Sequence, residues 1–213
     1  MKLARRLFKQ YLSQSRWSRS PSSSGEDNFS ITGINLMRRT ITGSLLLIIA
    51  VSYLLQITTV GYEDRFLLNR FYVENGEYYR LFTVALLHGG LWHLAFNLLA
   101  LYALGTPLEN YFGKGRYLLI LFVSLICGST LSVLLNPTYV YSIGASGMIF
   151  GLFGALALVG EKAGVEWRSI LIIIGLNFAI GFVLGGVDWR GHLGGLIGGV
   201  LTSTILATVK GKS

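Results

Sequence analysis

The sequence predicts an all-α, polytopic membrane bundle of six transmembrane helices, and three observations carry that prediction. Only 13% of the 213 residues are charged, against 52% hydrophobic; a soluble domain covers its surface with roughly a quarter charged residues. Six apolar stretches, each near the ~20 residues that cross hydrocarbon as helix, follow one another from residue 40 onward. Glycine is abundant at 27 residues and proline scarce at 3, a composition suited to helices whose backbones approach closely in lipid. Helix rather than irregular chain is required there, because hydrocarbon cannot satisfy free backbone N–H and C=O groups.

Residues 1–39 read as a basic, flexible cytoplasmic arm. They hold eight of the 18 Lys and Arg residues, and SRSPSSSGEDN offers no core of its own. The net charge is +8. Basic charge beside a membrane segment is a topology signal and a contact for anionic lipid, so no nucleic-acid partner is expected. No apolar run in the first 30 residues resembles a secretory signal peptide. The Arg- and Ser-rich start, with no acid before Glu26, does resemble a transit peptide, which keeps a mitochondrial membrane as the alternative to the cell membrane.

The membrane domain is expected over residues 40–209, with 210–213 as a cytoplasmic tail. Its apolar stretches run approximately over 41–60, 81–104, 117–135, 143–159, 170–186 and 193–209. The fourth and fifth are short for a full crossing, so a thinned bilayer or a helix end set below the surface is expected. With both termini inside, 14 of the 18 Lys and Arg lie on the inner side, which fixes the predicted orientation. The first outer loop, YEDRFLLNRFYVENGEYYR at 62–80, mixes four acids and three arginines with large apolar residues and reads as an amphipathic interfacial segment.

Ionisable residues at membrane depth are costly and mark function. His88, His93 and His192 all fall in or at the ends of apolar stretches, and with Ser146 they share the outer half of the bundle by this topology. Ser146 stands in IGASGM between Gly144 and Gly147. A helix starting there would aim unpaired N–H groups outward, where they can hold a negative oxygen beside a serine nucleophile. An isolated serine in such a turn also reads simply as a cap. His192, in WRGHLGGLIGG, shares a helix face with Gly195 and Gly199, while Gly147 and Gly151 give the fourth stretch a matching small face. Close packing of these faces would bring the Ser146 hydroxyl to the His192 ring, the base that a serine needs. His93 and Asn97 lie four apart on one helix face, both able to donate hydrogen bonds to a developing oxyanion. His88 does not share that face, and structural hydrogen bonding is expected of it. Asp188, four residues before His192, is expected to cap the last helix rather than complete a triad.

Neither a metal nor a cofactor is expected. The His88–His93 spacing does not match the i, i+4 pair of a helical zinc site. The lone Cys127 cannot form an internal disulfide and reads as a small buried hydrophobe.

Taken together, HGGLWHLAFN in the second stretch, GASG opening the fourth and GHLGGLIGG in the sixth resemble the rhomboid intramembrane serine proteases, in order and placement, across about residues 40 to 209. The resemblance implies a Ser–His dyad without an acid, at Ser146 and His192. It implies an oxyanion hole from His93, Asn97 and backbone near Gly144 and Ser146. Phe150 stands where the family often has a tyrosine stacked on the histidine, so the ring is kept and the hydroxyl lost. Tyr79-Arg80 resembles an aromatic–Arg pair of the first loop, and Glu109 a structural acid. The minimal six-helix form is implied, acting as a serine endopeptidase on transmembrane protein substrates. Two other readings stay open: a small transporter or channel, and a catalytically inactive relative that binds membrane clients.

Overall fold

The computed structural model describes residues 40–160, 162, 168 and 187–210. The basic arm (1–39), the whole of the fifth apolar stretch (170–186) and the end of the tail lie outside the described residues.

The chain enters α1 (Ile41–Thr58), capped by the Thr40 side chain on the Gly43 amide. The expected first outer loop folds into the short helices α2 (Tyr62–Phe66) and α3 (Arg70–Glu74), separated by the two-residue strand β1 (Leu68–Asn69). A further turn of helix, α4 (Arg80–Thr83), and a 3-10 turn (Val84–Leu86) lead to α5 (Leu91–Phe112). Next come α6 (Lys114–Leu135), strand β2 (Tyr141–Ser142), α7 (Ser146–Val159) and α8 (Trp189–Lys210). Strands β1 and β2 pair antiparallel, Leu68 opposite Ser142 and Asn69 opposite Tyr141, which ties the 62–80 segment to the approach to α7.

Among the described residues, four helices are long and apolar enough to cross a membrane: α1, α5, α6 and residues 189–208 of α8. The apolar α7 is shorter, at 14 residues. The chain is a multi-pass helical membrane protein, and the distribution of side chains suits that solvent. Large apolar residues point outward, Trp92 at 77% exposure and Phe96 at 66%, while Ser124, Ser129, Ser132, Thr202 and Ser203 are buried. A water-soluble protein reverses that preference.

Two boundaries differ from those expected. The second apolar stretch is not one helix from 81 to 104: it breaks at Leu87–Gly90 and restarts at Leu91. The break is satisfied by a side chain of α1. Gln56 Oε1 accepts from the His88 amide at 2.9 Å, and Gln56 Nε2 donates to the His88 carbonyl at 3.0 Å. One amide group thus replaces the lost ladder bonds, which is what makes non-helical backbone tolerable inside a membrane protein. The second difference is the expected inner loop at 105–116, which is helix on both sides of the single residue Gly113. Its φ of 77° suits glycine and lets it end α5 and begin α6. Nearby, the buried Glu109 carboxylate accepts from the Ile41 and Thr42 amides at 2.8 and 2.9 Å, tying α5 to the start of α1.

Glycine positions the helices that matter most. A Cβ on Gly195 would strike the Gly147 carbonyl, and one on Gly199 the Gly151 carbonyl, so α8 lies backbone to backbone on α7. Its neighbouring face does the same to α6, where a Cβ on Gly194 would stand 2.5 Å from the Cys127 carbonyl oxygen. Residues 195 and 199 face α7, and 194 and 198 face α6, two stripes offset by one helical step, while the Gly191 carbonyl lies between Gly128 of α6 and Gly147 of α7.

Candidate active site

The contact between α7 and α8 sets the site. Ser146 is the first residue of α7, and His192 lies in the first turn of α8. Their side chains meet, Ser146 Oγ 2.8 Å from His192 Nε2. The His192 ring is buried and stacks on Phe150, with centroids 4.1 Å apart and planes 12° from parallel. Phe150 is four residues after Ser146 on the same helix face, so one helix supplies both the hydroxyl and the surface that holds its partner flat.

His93 approaches from α5. Its Nδ1 accepts from the Gly89 amide at 3.2 Å. In the neutral ring this leaves the proton on Nε2 as a donor. That edge faces Gly144: a Cβ there would lie 2.9 Å from His93 Cε1, 3.0 Å from Nε2 and 3.7 Å from Ser146 Oγ. With φ at 127°, position 144 favours glycine twice over, for conformation and for room. Of the backbone near Gly144 and Ser146, the Gly144 amide itself donates to the Val84 carbonyl at 2.9 Å. The available backbone donors are therefore those at the start of α7, which carries no side-chain cap. Asn97 is buried one turn below His93, and its amide donates to the His93 carbonyl at 2.8 Å, leaving its second N–H for another acceptor.

His88 is buried behind His93, the two rings edge to face at 5.1 Å. Its backbone, held by Gln56, carries the structural hydrogen bonds. Among the described residues no group of three or more metal-ligating side chains occurs.

A cavity of about 30 Å³ opens beside the pair, lined by Ser132, Ser142, Gly144, Ser146, Asp188 and His192 among others. That is room for one or two waters, with polar groups to hold them. Asp188 caps α8, its carboxylate accepting from the Gly191 amide at 3.1 Å and from Ser142 Oγ at 2.7 Å.

Sequence reasoning missed two features. Gln56 was detectable as a lone amide late in an otherwise apolar helix. The β1–β2 bridge carried no signal, since two-residue strands show no periodicity. In the expected Tyr79–Arg80 pair the guanidinium lies 5.5 Å from the Tyr79 ring centroid. Arg80 is buried, donates from Nη1 to the carbonyls of Asp64 and Leu67 at 2.8 Å each, pairs with Glu77, and lies over the Tyr72 ring at 4.1 Å.

The Rhomboid domain model matches residues 75–209. The chain is 43% identical over 143 residues to Rhomboid protease GluP of Bacillus subtilis, covering 65% of this chain and 28% of GluP. It is 38% identical over 144 residues to Putative rhomboid protease YdcA of the same species, covering 65% of this chain and 72% of YdcA. A more distant match, Inactive rhomboid-related protein 2 of Caenorhabditis elegans, is 29% identical over 143 residues, 61% of this chain and 41% of that protein. The chain thus spans less than a third of GluP and nearly three quarters of YdcA. With the matched domain spanning every element of the site from α5 to α8, the chain belongs to the rhomboid family.

Proposed function

We propose that this protein is an intramembrane serine endopeptidase that cleaves peptide bonds in or near transmembrane segments of other membrane proteins. The observation that carries the reading is the 2.8 Å contact between Ser146 Oγ and His192 Nε2 beside a polar cavity. In the chemistry this geometry suits, His192 Nε2 takes the Ser146 proton as Oγ bonds to the substrate carbonyl carbon. The carbonyl oxygen becomes an oxyanion facing His93 Nε2–H and the first amides of α7, with Asn97 the further side-chain donor. The C–N bond then breaks, and the amine leaves with the proton from His192. Water, deprotonated by His192, hydrolyses the acyl-enzyme and restores the serine.

Phe150 keeps the imidazole in its plane, and the glycine stripes keep the helices close enough for the contact. The substrate must unwind locally, because a helical carbonyl is already hydrogen-bonded and shielded. Six transmembrane helices, on the strength of the six apolar stretches, and cytoplasmic termini, a site toward the outer side and lipid contact by the 1–39 arm, on the strength of the charge distribution, complete the proposal. The names of GluP and YdcA support protease activity.

The test is cleavage of a model transmembrane substrate in liposomes, with products mapped by mass spectrometry. Wild type is expected to give one or a few cuts and Ser146→Ala none. Equal cleavage by both would remove the assignment. No cleavage by either, with no labelling of wild type by a serine-reactive fluorophosphonate, would favour an inactive, client-binding member.

A further inference from the structure

Asp188 makes more contacts than a helix cap requires, and they reach both elements of the dyad. On the α8 side, its Oδ1 accepts from the Gly191 amide at 3.1 Å and its backbone carbonyl from the His192 amide at 3.1 Å. On the α7 side, its Oδ2 accepts from Ser142 Oγ at 2.7 Å, four residues before Ser146. A third arm reaches the end of α6, where Asn136 Nδ2 donates to Asp188 Oδ1 at 3.1 Å. The carboxylate also lies hard against α8: a Cβ on Gly191 would stand 2.9 Å from Oδ2.

The proton directions in this cluster follow from counting donors. Arg190 Nη1 donates to Asn136 Oδ1 at 2.9 Å. The two Asn136 amide hydrogens go to Ser132 Oγ, 3.0 Å away, and to Asp188. The single Ser142 hydrogen goes to Asp188, so across the 3.0 Å contact between Ser132 and Ser142 it is Ser132 that donates. Among these contacts, the carboxylate is where the donors converge, and an ionised carboxylate is acceptor-only. A neutral amide fits less well: with its oxygen on the Gly191 amide, its NH2 group faces Ser142, whose hydroxyl must then turn its hydrogen away and accept.

Resting on the proposed protease reading, we infer that Asp188 is a positioning residue for the Ser146–His192 pair, a strut fixing the segment before Ser146 to the first turn of α8 without touching the reacting atoms. Its contribution is geometric. Misplacing reacting groups by about 1 Å costs on the order of a hundredfold in rate, and losing a single hydrogen bond to a charged carboxylate roughly tenfold.

The experiment compares wild type with Asp188→Asn, Ser142→Ala and the double variant D188N/S142A in liposomes. It measures kcat and KM on a transmembrane substrate, the rate of fluorophosphonate labelling at Ser146, and the thermal midpoint. Asp188→Asn is expected to lower kcat and labelling together by ten- to hundredfold with little change in KM. Ser142→Ala is expected to lower both roughly tenfold, and the double variant no further than Asp188→Asn alone. The milder Ser142→Ala keeps the test informative should Asp188→Asn fold poorly. Wild-type kcat and labelling in folded Asp188→Asn, or multiplicative losses in the double variant, would overturn the strut. So would losses that only track the folded fraction. A wild type that neither labels nor cleaves would overturn the protease reading and the strut with it.

Discussion

The α7–α8 interface makes an asymmetric prediction about two glycines that look equivalent in sequence. A Cβ on Gly195 would fall on the Gly147 carbonyl, with the Gly147 Cα 3.2 Å away, whereas a Cβ on Gly147 meets the Gly191 oxygen at 3.4 Å and nothing closer. Gly195→Ala therefore forces backbone against backbone, which no rotamer relieves. The helices must part by on the order of 1 Å to regain ordinary van der Waals separation. Overpacking of this kind costs about 1–3 kcal/mol, offset by the roughly 1 kcal/mol gained when alanine replaces glycine within a helix. The effect on rate is larger than the effect on stability. The Ser146–His192 contact starts at 2.8 Å, and an opening of about 1 Å takes it beyond hydrogen-bonding distance. A loss of about a hundredfold in labelling and cleavage follows. Gly147→Ala, although next to the nucleophile, should retain stability within about 1 kcal/mol. Gly115→Ala, with nothing within 4 Å, is the control. The assay is fluorophosphonate labelling rate together with thermal midpoint in one detergent. Equal behaviour of Gly195→Ala and Gly147→Ala would refute the backbone-to-backbone packing.

Two further predictions follow from individual side chains. Phe150→Tyr should keep the stack on His192 and near wild-type kcat, while Phe150→Leu should lose roughly 1 kcal/mol of ring interaction and about fivefold in kcat, read by steady-state cleavage. Burial by itself would raise the Asp188 pKa, but the hydrogen bonds its carboxylate accepts, those from Ser142, Asn136 and the Gly191 amide among them, outweigh it and leave the carboxyl lowered from the usual 3.8. The folded chain thus binds this proton more weakly than the unfolded chain. The linked stability is complete above the ordinary aspartate value and fades as pH falls through the lowered one. A thermal midpoint that drops below pH 4 in wild type should do so less in Asp188→Asn; identical pH curves would remove Asp188 from the linkage.

Much of this arrangement was legible in the sequence, for a physical reason. Lipid forces helix, so hydropathy locates segments, and glycine at intervals of four locates the faces where backbones meet. Gly195, Gly199, Gly147 and Gly151 therefore announced the α7–α8 contact, and with it the approach of Ser146 to His192. Features built from single hydrogen bonds were not legible. Nothing periodic marks Gln56 as the partner of the His88 backbone, so the break at 87–90 was read as continuous helix. That the Gly144 amide itself is already taken was not legible either, since the Val84 carbonyl that accepts its N–H is 60 residues away in the chain. The extent of α5 and α6 toward Gly113 was hidden by the charges of Glu109, Lys114 and Arg116. These made helical residues look like loop, and Glu109 in fact caps another helix from inside.

The central claim is that the Ser146 hydroxyl is activated by the His192 ring, and intact-protein mass spectrometry after fluorophosphonate treatment tests it most directly. The account predicts one phosphonyl adduct on wild type, mapped to Ser146, and none on Ser146→Ala or His192→Ala at the same exposure. An adduct forming at the wild-type rate in His192→Ala, or located on another residue, would contradict it.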